Sequence, residues 1–176
     1  NTDDGRAFAE SPEKLHDLLV DIRGVLKNTA MIVKLPLDFG HPSKAAEVAV
    51  EAGADALTLI NTVPGMSIDL KSRRSRIGRW SGGTSGPAIH PLAVRMIADV
   101  YREVASPAGV PIIGLGGVMR WQDAAEFILA GATGVGLGTA LFVDPRRPWK
   151  ILKGLRKWAK SQGCASIRDL VGAVED

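Results

Sequence analysis

The sequence predicts an α/β fold of four βα units, half the number in a closed (β/α)8 barrel. Three observations predict it. Short, nearly continuous apolar runs alternate with amphipathic helical stretches, the pattern of a parallel sheet covered by helices. Two of those runs end in glycine turns, Gly116-Gly117-Val118 and Gly138-Thr139, where a β/α barrel presents backbone N–H groups to a phosphate. A third glycine-rich stretch, Ser81-Gly82-Gly83-Thr84-Ser85-Gly86-Pro87-Ala88-Ile89, precedes them.

The elements follow in order. Ser11-Pro12-Glu13 starts a helix, with a capping hydroxyl and proline at its first position. Leu15, Leu18, Leu19, Ile22 and Leu26 continue it at helical spacing. Met31-Ile32-Val33-Lys34-Leu35 is a strand stopped by Pro36. Ser43 is expected to cap the next helix, which buries Ala46, Val48 and Ala49 and ends at Gly53. Ala56-Leu57-Thr58-Leu59-Ile60 is the second strand, with Asn61-Thr62 at its end. Residues 63–89 form a long connection with a basic tip, read as a hairpin or an excursion above the sheet; connections this long carry function or are disordered. Pro91 opens a helix bearing Leu92, Val94, Ile97, Val100 and Val104. Ile112 to Leu115 is the third strand, 121–130 a helix ended by Gly131, and 134–138 the fourth strand. Residues 141–160 include an amphipathic helix with Trp149, Leu152, Leu155 and Trp158, and Ile167, Leu170 and Val171 mark a last short helix. An open four-stranded sheet would leave two unpaired edges and half a barrel core exposed. Residues 1–176 are therefore expected to be a single domain that is half of a larger unit.

Composition narrows the function. The 176 residues are 45% hydrophobic and 23% charged, enough apolar matter for a sizeable core. No apolar run reaches the ~20 residues needed to span a bilayer, and the charged start lacks a signal-peptide pattern. The one cysteine, Cys164, excludes an internal disulfide and a multi-cysteine metal site, so a cytoplasmic setting is the expectation. The net charge of +3 comes mainly from residues 71–79 and 146–160 and reads as solvated basic faces. The basic loop lacks the interleaved aromatic residues of a nucleic-acid platform. Arg73, Arg74, Arg76 and Arg79 belong to that solvated loop. His16, His41 and His90 are scattered and read as structural, and Cys164 as a partly buried thiol.

Five motifs stand in order: Val33-Lys34-Leu35, Ile60-Asn61-Thr62, the stretch from Gly82 through Ser85-Gly86-Pro87-Ala88-Ile89, Gly116-Gly117-Val118, and Gly138-Thr139. On these motifs the chain resembles the C-terminal half of a dihydroorotate dehydrogenase, the FMN enzyme of pyrimidine biosynthesis, over nearly all its length. Ser85-Gly86-Pro87-Ala88-Ile89-His90-Pro91 and Gly138-Thr139-Ala140-Leu141-Phe142 suggest the soluble class 1 branch. Asn1-Thr2-Asp3-Asp4-Gly5-Arg6 resembles the family's loop after its fourth strand. In the family a Cys or Ser shortly before that Asn is the catalytic base, and this sequence does not include it. The resemblance thus implies dehydrogenase activity for the full-length protein and inactivity for this stretch alone. The alternative is an inactive half-barrel that binds FMN or phosphate.

The resemblance also implies roles. Lys34 would lie at the flavin edge, an ammonium set where negative charge develops. Asn61 and Thr62 would bind the pyrimidine substrate, dihydroorotate or orotate, and Asn1 would touch it too. Ile60, Ser85 and Gly86 would lie against the flavin. Gly116, Gly117, Val118, Gly138 and Thr139 would bind its phosphate through N–H and hydroxyl groups. No metal site is expected. The partners implied are a second copy of the chain or an iron–sulfur flavoprotein that carries electrons to NAD; fumarate is the other soluble oxidant of the family.

Overall fold

Each apolar run becomes a strand followed by a helix that returns the chain, so successive strands run parallel. A computed structural model describes residues 2–3, 6–7, 11–37 and 43–175. The chain opens with a two-residue antiparallel pair, β1 (Thr2–Asp3) and β2 (Arg6–Ala7). Helix α1 (Pro12–Val25) follows, then β3 (Ile32–Leu35), α2 (Lys44–Glu51) and β4 (Ala56–Leu59). Four short strands come next: β5 (Val63–Gly65), β6 (Ile68–Asp69), β7 (Arg74–Ser75) and β8 (Gly82–Thr84). A 3-10 turn, Pro87–Ile89, leads into α3 (His90–Val100). A π-turn, Tyr101–Ala105, carries that helix on into α4 (Ser106–Ala108). Then come β9 (Ile112–Leu115), α5 (Trp121–Leu129), β10 (Gly134–Gly136), α6 (Ala140–Val143), α7 (Arg147–Ser161) and a last 3-10 turn, Ile167–Leu170.

The four strands β3, β4, β9 and β10 form one parallel sheet in the order β10-β9-β4-β3. This is an α/β fold and half of a (β/α)8 barrel. The register places Val33, Leu57 and Ile112 side by side, and Lys34, Thr58 and Ile113 on the opposite face. The first face is the core. Val33, Leu35, Leu57, Leu59 and Ile112 are buried there, together with Ile97 of α3 and Phe127 of α5. The packing is close enough that a Cβ on Gly114 would lie 2.7 Å from Phe127 and 3.0 Å from Ile97. The other face is less covered: Ile32 and Lys34 are exposed, and Thr58, Ile113 and Leu115 are only half-buried.

Several boundaries differ from the sequence reading. Ser11 caps α1, its hydroxyl accepting the Lys14 N–H at 3.4 Å. Ser43 does not cap α2: it sits in helical backbone geometry, and its hydroxyl donates instead to the carboxylate of Glu103. An N-cap side chain reaches the first-turn N–H groups from extended backbone, and the helical backbone of Ser43 does not offer that geometry. The fourth strand stops at Gly136, because Gly138 and Thr139 already turn toward α6. Residues 141–160 split into α6 and α7 around Asp144, whose carboxylate pairs with Lys150 at 2.6 Å. In α7, Ile151 and Leu155 face the core, while Trp149 stays exposed. The excursion after β4 is two antiparallel ribbons, β5 with β8 and β6 with β7.

Candidate functional site

In a parallel sheet the residues after each strand gather at one edge, and ligands bind at the carboxyl ends. Three chain segments meet there: Ile60-Asn61-Thr62 after β4, Gly116-Gly117-Val118 after β9 and Gly138-Thr139 after β10. Two hydrogen bonds lock the first in place. The Ile60 N–H donates to the Leu115 carbonyl at 2.7 Å, and the Asn61 N–H to the Leu35 carbonyl at 3.0 Å. Lys34, one residue from the end of β3, projects from the less covered face.

The result is a pocket of about 150 Å³, lined by Lys34, Ile60, Thr62, Ser85, Gly86, Gly116, Gly117, Val118, Gly138 and Thr139. Ten of the twelve residues singled out in the sequence thus line one cavity. Asn61 does not line it. Its side-chain oxygen accepts the Thr62 N–H at 2.9 Å, which orders the turn. Asn1 lies outside the described residues. Ile89, Leu115, Met119, Gly136 and Ala140 also line the pocket and were missed. Ile89 and Ala140 stand inside quoted motifs and the other three beside them, and none carries a polar side chain that would mark it in a sequence.

The turn from Gly116 to Arg120 is held at four points. His90 Nδ1 donates to the Gly116 carbonyl at 2.9 Å. The Asp123 carboxylate accepts the Met119 N–H at 2.8 Å and the Arg120 N–H at 3.0 Å. Arg147 donates to the Met119 carbonyl at 3.2 Å. Burial alone would raise the Asp123 carboxyl. The Met119 N–H, the Arg120 side chain and N–H, and the charge of His90 hold it below the ordinary value. Among the described residues, the N–H groups of Gly117, Val118, Gly138 and Thr139 find no protein partner. Unpaired N–H groups at strand-to-helix turns are the donor set of an anion site.

Close approach requires glycine here. A Cβ on Gly117, at φ +69°, would lie 2.6 Å from the Gly86 carbonyl and 2.8 Å from His90 Cβ. The two glycine turns are therefore packed backbone against backbone. Around Gly138 a Cβ would meet nothing within 4 Å, so that side of the cradle is open. The arrangement suits a phosphate monoester at the glycine turns, with an apolar ring against Ile60, Ile89 and Leu115 and a cation at Lys34. At about 150 Å³, the pocket is smaller than the ~300–1,000 Å³ typical of small-molecule sites.

A larger groove of about 940 Å³ runs along α7 beside Trp149, Leu152, Lys153, Arg156 and Cys164. It is mainly apolar and lacks the converging N–H groups of the strand-end pocket. Among the described residues no group of three or more His, Cys, Asp or Glu could hold a metal ion. No described helix is long and apolar enough to cross a membrane.

The sequence matches known proteins over most of its length. A sequence model described as dihydroorotate dehydrogenase matches residues 1–158. A protein from Bacteroides thetaiotaomicron, named dihydroorotate dehydrogenase B (NAD(+)), catalytic subunit, is 39% identical over 171 residues. Proteins of the same name from Pelobacter propionicus and Trichlorobacter lovleyi are each 43% identical over 171 residues. In all three the match covers 97% of this chain and 55% of the relative, so the chain spans about half the length of the curated relatives it matches. With the family's motifs meeting at the carboxyl edge of the sheet, the chain belongs to the dihydroorotate dehydrogenase family.

Proposed function

We propose that these residues are the FMN-binding half of a dihydroorotate dehydrogenase that oxidises dihydroorotate to orotate in pyrimidine biosynthesis. The observation that carries the reading is the set of four unpaired N–H groups on two adjacent strand ends, sharing one pocket with Lys34. Gly117, Val118, Gly138 and Thr139 would hold the phosphate by backbone donors, with the Thr139 hydroxyl as a fifth. Ile60, Ser85 and Gly86 would lie against the ring system, where only a side-chain-poor backbone approaches closely. When bound, FMN would supply the two-electron acceptor that no side chain can.

The chain's own residues position and charge the site. The Lys34 ammonium would stand at the flavin edge and would stabilise the negative charge that builds there on reduction. Thr62 on the pocket wall and Asn61 next to it in the chain would orient the pyrimidine, with Asn1 joining them as the family resemblance implies. Orientation of the two rings removes an entropic part of the barrier. The relatives are named NAD(+)-linked catalytic subunits, which supports an electron-transfer partner subunit with NAD+ as the terminal oxidant. An iron–sulfur flavoprotein has the chemistry for that relay.

The test is flavin content and reduction. The whole protein should purify with FMN, released on denaturation, and dihydroorotate should bleach it anaerobically. Lys34→Ala should keep the flavin and slow its reduction by ~10²-fold, the scale of losing one electrostatic contact in a transition state. A protein that binds FMN but is not reduced by dihydroorotate would favour the inactive half-barrel. One that binds no FMN would remove both readings.

A further inference from the structure

His90 is nine-tenths buried, titratable, and used by no step above. A polar ring in that place costs desolvation unless its hydrogen bonding serves a purpose. Its Nδ1 faces the Gly116 carbonyl at 2.9 Å, and since a carbonyl only accepts, Nδ1 must carry the hydrogen. Its Nε2 lies 3.3 Å from Glu126 Oε2, an electrostatic contact without hydrogen-bond geometry. The ring packs on Phe127, with centroids 4.7 Å apart. Glu126, Asp123 and Phe127 all belong to α5, so His90 ties the start of α3 to α5 and to the glycine turn.

The Gly116 carbonyl and the Gly117 N–H belong to one planar trans peptide, so they point in opposite directions. Fixing the carbonyl on the His90 side fixes the Gly117 N–H on the other. Both flanking residues are glycines with positive φ, +144° and +69°. Nothing in their own conformational preference would stop that peptide from rotating. We infer that His90 is a positioning residue that sets the Gly116–Gly117 peptide for a phosphate monoester: its Nδ1–H pins the carbonyl and leaves the N–H free for the anion. The inference rests on the phosphate-cradle reading and names the device that orients the cradle.

His90→Asn and His90→Leu test it. The two replacements are nearly isosteric, and both lose the ring contact with Phe127. Only Asn keeps a donor where Nδ1 stands. Dissociation constants for FMN and for riboflavin, which lacks the phosphate, are measured on the flavin-stripped whole protein. Riboflavin affinity reports an intact fold. The Leu variant should lose about tenfold in its preference for FMN over riboflavin, the scale of one hydrogen bond, and the Asn variant should stay within about threefold of the native preference. Equal preference in Leu and Asn variants, at the native or at a reduced level, overturns the inference. A native protein that binds riboflavin as tightly as FMN overturns the cradle itself, which is a separate result.

Discussion

Single residues set what enters the pocket. Gly117 and Gly138 share a motif type in the sequence but differ in surroundings. A side chain at Gly117 would collide with the Gly86 carbonyl and with His90, so its replacement tests folding before binding. At Gly138 the space is open. Gly138→Asp should therefore fold like the native protein, with an unchanged melting temperature. Its carboxylate would stand among the Gly138 and Thr139 N–H groups and repel a phosphate dianion. Loss of nearly all bound flavin after gel filtration is the expected outcome; full flavin content would place the phosphate elsewhere. Asn61 shows the limit of reading residues one by one. A side chain that bonds its own next N–H looks the same in sequence as one that faces a ligand.

At the scale of elements, α5 carries the turn that makes the cradle. Its Asp123 carboxylate accepts the Met119 and Arg120 N–H groups and the Arg120 guanidinium at 3.0 Å, so it caps the start of α5 from inside the first turn. Asp123→Ala should cost about 1–2 kcal/mol, the range of a lost helix cap, and lower the melting temperature by roughly 2–8 °C. The sign of the pH dependence follows from its lowered pKa. A depressed carboxyl contributes in full above the unfolded value of ~3.9 and loses its contribution as pH falls through the lower folded value. The gap between native and variant melting temperatures should stay constant from neutral pH down to about 5, then close in acid. A gap unchanged at pH 2 would show that the carboxylate charge plays no part. Flavin affinity should fall as well, since Met119 anchors the far end of the same turn.

At the scale of the whole molecule, the described residues cover one face of the sheet more fully than the other. Helices α3 and α5 seal the Leu57–Ile112 side of the sheet, while Lys34, Thr58, Ile113 and Leu115 look out from the other. Among the described residues the outer edges of β3 and β10 pair with nothing. Phe142 is 91% exposed and Trp149 75%. Parallel sheets are buried on both faces, and open edges recruit further strands. A polypeptide of these 176 residues alone should therefore self-associate at micromolar concentration in sedimentation velocity. A monodisperse monomer would mean that these surfaces are tolerated in water.

The alternation of apolar runs with helical periods determined the parallel βα order, since strand and helix periods are local properties of the chain. The glycine turns were equally legible, because only glycine serves where backbone meets backbone or ligand. Ten of the twelve residues named from the sequence line one pocket. Tertiary structure decided the rest. It turned Ser43 from a cap into a partner of Glu103, and it set the Asn61 side-chain oxygen on the Thr62 N–H. It also brought His90, which reads in the sequence as one scattered histidine among three, to the back of a cradle 26 residues further along the chain. Hydrogen bonds between groups distant in sequence leave no periodic trace, so only the folded arrangement shows which donor meets which acceptor.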